Sequence, residues 1–114
     1  MQHQVFTLDE LKSLIETEKG LMAYFYSDRC APCISLRPKV ELMTTEDFPE
    51  MKFVLINSEK YPEIPAAFGV FANPAILVFF EGQEFRRYSK YISINQLGSD
   101  IERIYNMVFD SGPN

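Results

Sequence analysis

The sequence predicts an α/β domain with a central mixed sheet flanked by helices on both faces. Three observations lead there. First, the apolar runs Leu21–Tyr26, Phe53–Ile56 and Ala75–Phe80 are short and nearly unbroken, as in strands buried on both faces. Second, segments with helical apolar spacing alternate with the first two runs, which calls for crossovers and a parallel core. Third, Glu81-Gly82 is a turn signal between the last run and a more polar segment, which adds an antiparallel hairpin.

In chain order, Val5 and Phe6 lead into Thr7-Leu8-Asp9-Glu10, whose Thr7 and Glu10 form a capping-box pattern. The helix they open runs to about Glu18 through Leu8, Leu11, Leu14 and Ile15, and Gly20 is expected to stop it. Strand Leu21–Tyr26 follows. A second helix starts near Pro32, which needs no amide donor in a first turn, and continues to about Thr44 with Pro38 expected to kink it. Residues Thr45–Glu50 read as a polar loop and Lys52–Asn57 as a strand. Ser58–Pro65 reads as a loop, and a short helix is expected at Pro65–Phe68, ending at Gly69. Pro74 opens the next strand after Asn73, and Gln83–Ser89 reads as an edge strand. Ser93 and Gln96 repeat the cap pattern before a long last helix with Leu97, Ile101, Ile104, Tyr105 and Val108 on its apolar face. Asp110–Asn114 reads as a frayed tail. The 114 residues suit one domain, with no repeat, linker or low-complexity stretch.

An apolar fraction of 46% supports a core, and a net charge of −5 without a basic stripe argues against nucleic acid. The longest apolar runs fall far short of a membrane span, and Met1-Gln2-His3-Gln4 does not resemble a secretory n-region, so a cytoplasmic protein is expected. In such a reducing compartment the two cysteines, Cys30 and Cys33, read as redox or metal chemistry rather than a structural staple. They sit where a buried strand turns into a helix. There the free backbone N–H groups and the helix dipole stabilise a thiolate at Cys30. Arg29 favours that thiolate and Asp28 opposes it. Cys33 falls in the apolar series Cys33, Leu36, Val40, Met43, which turns it toward the core. Cys30 is therefore expected to attack and Cys33 to resolve.

Other readings compete with this one. A single-chain zinc site needs two further ligands, and the one histidine, His3, lies at the terminus. A zinc site shared by two chains, metal transfer by the dithiol, and two inert buried thiols remain open. His3 reads better as a tail residue than as a base, and Asp28 as an exposed loop aspartate. For Pro74 the residues alone allow either an ordinary trans proline or a cis turn into the strand.

Taken together, Ala23–Ser27 leading into Cys30-Ala31-Pro32-Cys33, Pro38, Phe68-Gly69-Val70, Pro74, Phe79 and Gly82 make the chain resemble the thioredoxin family from Phe6 to about Phe109. The resemblance implies a thiol–disulfide oxidoreductase that reduces protein disulfides through Cys30 and Cys33, with no diffusible cofactor and no metal. It implies a disulfide-containing protein substrate, an upstream reductase, and a cis Pro74 facing the cysteines beside a strand-adding Asn73. A monomer is favoured. Pro32, kept between the cysteines, fits a reducing member.

The departures from the family pattern are specific. Tyr26 and Arg29 stand where tryptophans are usual. Tyr24 and Phe53 stand where a buried acid and its lysine are usual, so the pair is lost together and leaves no unpaired charge. Activation of Cys33 is then left to water, the Tyr24 hydroxyl or Cys30. Arg29, Asn73 and Lys90 make the expected substrate-binding face more polar and basic, which suits an acidic partner. The alternative reading is a binding or adaptor domain whose cysteines turn over poorly.

Overall fold

The computed structural model describes residues 3–109. The order is β1 (His3–Val5), α1 (Leu8–Thr17), β2 (Gly20–Tyr26), α2 (Ala31–Asp47), β3 (Lys52–Asn57), α3 (Glu63–Ala67), β4 (Ala75–Phe80), β5 (Gln83–Tyr88) and α4 (Ile94–Phe109). One five-stranded sheet runs β1-β3-β2-β4-β5. Strand β2 pairs parallel with β3 and antiparallel with β4, and β5 closes one edge, as the hairpin signal predicts.

Side-chain alternation divides the core in two. Met22 and Tyr24 of β2, Leu55 of β3 and Ile76, Val78 and Phe80 of β4 face α2 and α4, where they meet Cys33, Val40, Met43, Leu97 and Ile101. Leu21, Ala23 and Phe25 point the other way with Val54, Ile56, Leu77 and Phe79, onto Leu11 and Ile15 of α1 and Ile64 of α3. Helices thus cover both faces. This is why β2 and β4 carry unbroken apolar runs instead of an apolar–polar alternation.

Several boundaries differ from the sequence expectation, each for a local reason. His3 belongs to β1, pairs with Val54 in register, and its Nε2 lies 3.2 Å from Glu10 Oε2, so it is not a loose tail residue. Thr7 does cap α1, accepting from the Glu10 amide at 3.1 Å. Gly20 does not terminate that helix. It opens β2, where an added Cβ would lie 2.9 Å from the Phe109 ring, so its smallness serves close packing.

Helix α2 continues through Thr45–Asp47, and buried Thr44 binds back to the Val40 carbonyl at 2.7 Å, so the expected loop begins only at Phe48. Phe48 and Met51 are themselves buried, Phe48 against the Tyr105 ring. Pro38 lies inside α2 and has no N–H to offer the Ile34 carbonyl. Helix α3 starts two residues before the expected Pro65, and Gly69 follows it at φ 67, a left-handed position that favours glycine. Ser93 accepts from the Gln96 amide at 3.0 Å, as the second cap pattern predicts. The expected tail at 110–114 lies outside the described residues.

Candidate active site around Cys30 and Cys33

The strand-to-helix turn is built by local chemistry. Cys30 is the N-cap of α2, with extended backbone angles of φ −92 and ψ 101. Its carbonyl accepts the first helical bond from the Ile34 amide at 3.2 Å, and its Sγ accepts from the Cys33 amide at 3.2 Å. The cysteines form a disulfide with Cα atoms 5.2 Å apart. Their exposure differs. Cys30 is partly exposed at the surface end, while Cys33 is 3% exposed and packs within the α2–α4 core. Ala31 and Pro32 are exposed in the first helical turn.

Behind Cys33 the structure replaces charge with a neutral tether. The Tyr24 hydroxyl donates to the Cys33 carbonyl at 2.8 Å, and Tyr24 is fully buried. Burial pushes its phenol up to about 12, against a smaller opposing pull from the Arg37 guanidinium. Tyr24 is thus a neutral donor at ordinary pH, unsuited to act as a base. The Phe53 ring lies 6.2 Å away, centroid to centroid, so an aromatic contact occupies the space where the family pattern leads one to expect an ion pair.

Asn73-Pro74 is a cis peptide, and Pro74 is buried. The pairing of Ala75 with Phe25 puts this turn level with the end of β2, where the chain leaves for Cys30. Asn73 and Ser27 line one cavity of about 430 Å³ with Ser58, and the buried Asn73 Oδ1 and Ser58 Oγ make no hydrogen bond there. A second cavity, of about 190 Å³, is lined by Cys33 with Tyr26, Ser27, Asp28, Ile34 and Arg37.

The expected basic rim is only partly free. Arg29 is 86% exposed, but its guanidinium lies 3.3 Å from Glu59 Oε2. Lys90 is exposed with its ammonium 5.2 Å from the Tyr91 ring centre, and it lies apart from both cavities. Asp28 is exposed, as expected, and its Oδ2 accepts from Asn57 Nδ2 at 3.4 Å. Among the described residues, no group of three or more histidines, cysteines, aspartates and glutamates is placed to hold a metal. Sequence reasoning missed Arg37 and the Glu59 partner of Arg29. Arg37 follows Cys33 by four residues on one helix, a spacing that could have found it.

A partly exposed cysteine at a helix N-terminus, bonded to a buried one on the next turn, defines a thiol–disulfide oxidoreductase centre. The thioredoxin family model matches residues 2–103, and the chain belongs to that family. It is similar to the thioredoxin-like protein YdfQ of Bacillus subtilis, 27% identical over 101 residues and covering 89% of each chain. The mitochondrial thioredoxin-2 of Schizosaccharomyces pombe is 26% identical over 91% of this chain and 71% of its own length. The structure of oxidised mitochondrial thioredoxin 3 from Saccharomyces cerevisiae superposes with a TM-score of 0.79 at 23% identity, over 90% of this chain and 94% of that one. The protein is thus a thiol–disulfide oxidoreductase with the thioredoxin fold and thioredoxin-type disulfide reductase activity.

Proposed function

We propose that Cys30 attacks protein disulfides and Cys33 resolves the mixed disulfide. The observation that carries this reading is the asymmetry of the pair: Cys30 caps a helix at the surface, while Cys33 is buried one turn on. In the reduced protein the Cys30 thiolate attacks one sulfur of a substrate disulfide. A Cys30–substrate bond forms, and the other substrate sulfur leaves as a thiolate that takes a proton from solvent. The Cys33 thiolate then attacks Cys30 Sγ, the substrate's second sulfur leaves, and the Cys30–Cys33 disulfide forms. Two electrons pass to the substrate, and an upstream reductase restores the dithiol. The Cys33 amide that bonds Cys30 Sγ in the oxidised form is placed to support the Cys30 thiolate in the reduced form.

Substrate contact is assigned to Arg29, Pro32, Asn73, Pro74 and Lys90. An extended segment beside Asn73-Pro74 would lie along the free side of this turn, a mode tolerant of sequence. Since Arg29 shares its charge with Glu59, Lys90 provides the less compensated attraction for an acidic partner. A cytoplasmic or similarly reducing setting goes with a reductase.

The test is insulin reduction by the wild-type protein, with Cys30→Ser and Cys33→Ser as controls. Turnover above background in the wild type alone supports the reading. Wild-type turnover at background leaves the adaptor reading, which the absence of an acid at Tyr24 favours. Charge reversal at Arg29 and Lys90 that leaves exchange with an acidic substrate unchanged would remove the docking assignment.

A further inference from the structure

The resolving step requires Cys33 to lose a proton, yet the buried side chain bonded to its backbone cannot take one. Tyr24 is a neutral donor whose proton is committed to the Cys33 carbonyl at 2.8 Å. Cys33 also lines the cavity of about 190 Å³. The charged or titratable groups lining it besides Cys33 are Tyr26, Asp28 and Arg37. Arg37 follows Cys33 by four residues on α2, so both rise from the same helix face. Its guanidinium is held over the Tyr26 ring, 5.7 Å from the centroid, instead of ranging through solvent. Asp28 also lines it, and Asn57 donates to its carboxylate at 3.4 Å.

We propose that Arg37 supplies the positive charge that favours the Cys33 thiolate during resolution, acting across the cavity that the two side chains share. This rests on the assignment of Cys33 as the resolving thiol. The cavity gives the departing proton a route to solvent, and the guanidinium stays positive at any working pH. A cation near a thiol stabilises the thiolate, while Asp28 opposes it. Tyr26 serves as the platform that holds the guanidinium in place. Arg37 is a positioning residue in this scheme: it changes the population of the attacking thiolate without joining the exchange itself.

The test reads each thiol separately. In a Cys30→Ser background, the pH dependence of Cys33 alkylation by iodoacetamide is compared for Arg37, Arg37→Gln and Arg37→Lys. Arg37→Gln is expected to move the Cys33 midpoint up by on the order of one pH unit, with Arg37→Lys restoring most of it. In a Cys33→Ser background the Cys30 midpoint is expected to move much less. A rise of that size cuts the thiolate fraction about tenfold but makes the remaining thiolate about threefold more nucleophilic, so release of substrate from the mixed disulfide near pH 7 should slow about threefold. Asp28→Asn should move the Cys33 midpoint the opposite way, which keeps the test available if Arg37→Gln folds poorly. A Cys33 midpoint indifferent to Arg37→Gln overturns the proposal, as does an equal shift at Cys30 or, where Arg37→Gln does not fold, a midpoint indifferent to Arg37→Lys and Asp28→Asn. A Cys33→Ser protein that accumulates no mixed disulfide with insulin overturns instead the assignment of Cys33 as the resolving thiol.

Discussion

Cys30 and Cys33 are one helical turn apart, yet they occupy two different chemical settings. Around Cys30 the backbone provides the chemistry: a helix N-terminus, the Cys33 amide at 3.2 Å, and partial exposure. Around Cys33 side chains decide: Tyr24 bonds its carbonyl, aromatic rings fill the space behind it, and Arg37 lies across a cavity. A setting made by backbone tolerates wide sequence change, because any chain that forms the turn recreates it. A setting made by side chains can be rebuilt with different chemistry. That is the pattern here, where backbone bonds hold the Cys30–Cys33 turn and the space behind Cys33 is filled by Tyr24 and Phe53 instead of charge.

The largest expected effect breaks the pair itself. Cys30→Ser should lower insulin reduction to background, because no attack occurs. Cys33→Ser should also stop turnover but leave a covalent adduct on Cys30, visible by intact mass after quenching with acid. Adduct formation by Cys30→Ser with similar yield would mean that the two settings are interchangeable, and the comparison would collapse.

The next effect asks whether the neutral setting behind Cys33 tolerates charge. Tyr24→Asp places a carboxylate in a fully buried site that offers Phe53 in place of a lysine. Leaving such a charge unpaired costs about 3 to 5 kcal/mol at neutral pH, readable by urea denaturation. The sign follows from burial, which raises the folded-state pKa of the new acid above its unfolded value near 3.9. Below that value both states are protonated and the penalty is small. It grows as pH rises toward the folded-state pKa. Adding Phe53→Lys should recover part of the loss at neutral pH. A single variant as stable at pH 7 as at pH 4 would show that water already reaches this space.

Much of this was legible in the sequence, and the exceptions share a cause. The apolar runs, the two Ser/Thr caps and the Cys30–Cys33 turn are local patterns, and the structure contains all of them. Tyr24 could be placed on β2 and recognised as a departure, but its bond to the Cys33 carbonyl depends on how α2 lies over the sheet. Gly20 reads as a helix stop because it follows a run of helical apolar spacing that ends at Ile15. Its real constraint is Phe109, almost the whole chain away. The same holds for α2, whose polar extension Thr45–Asp47 reads as a loop until buried Phe48 and Tyr105 are seen to anchor its end. Arg29 read as a free cation because Glu59 is remote in sequence and close only after β3 docks beside β2.

The smallest expected effect sharpens the comparison most finely. Tyr24→Phe removes one hydroxyl and keeps the ring, so the Phe53 contact survives. The lost hydrogen bond should cost about 1 kcal/mol of stability. The Cys33 carbonyl can still accept within the helix, so no buried acceptor is left fully unmet. The same substitution also alters the alkaline limb of stability. In the wild type, burial raises the Tyr24 phenol from its ordinary value near 10 to about 12. The folded state thus resists a deprotonation that the unfolded state accepts. The associated stability is fully present below pH 10 and is lost as pH climbs from 10 through 12. Burial, with help from the Asp100 carboxylate, also pushes Tyr88 up, so part of the alkaline limb persists without Tyr24. Tyr24→Phe should therefore flatten the fall in urea midpoint above pH 10 without abolishing it. An unchanged slope would mean that Tyr24 is already open to hydroxide, and the neutral setting behind Cys33 would be less sealed than its burial implies.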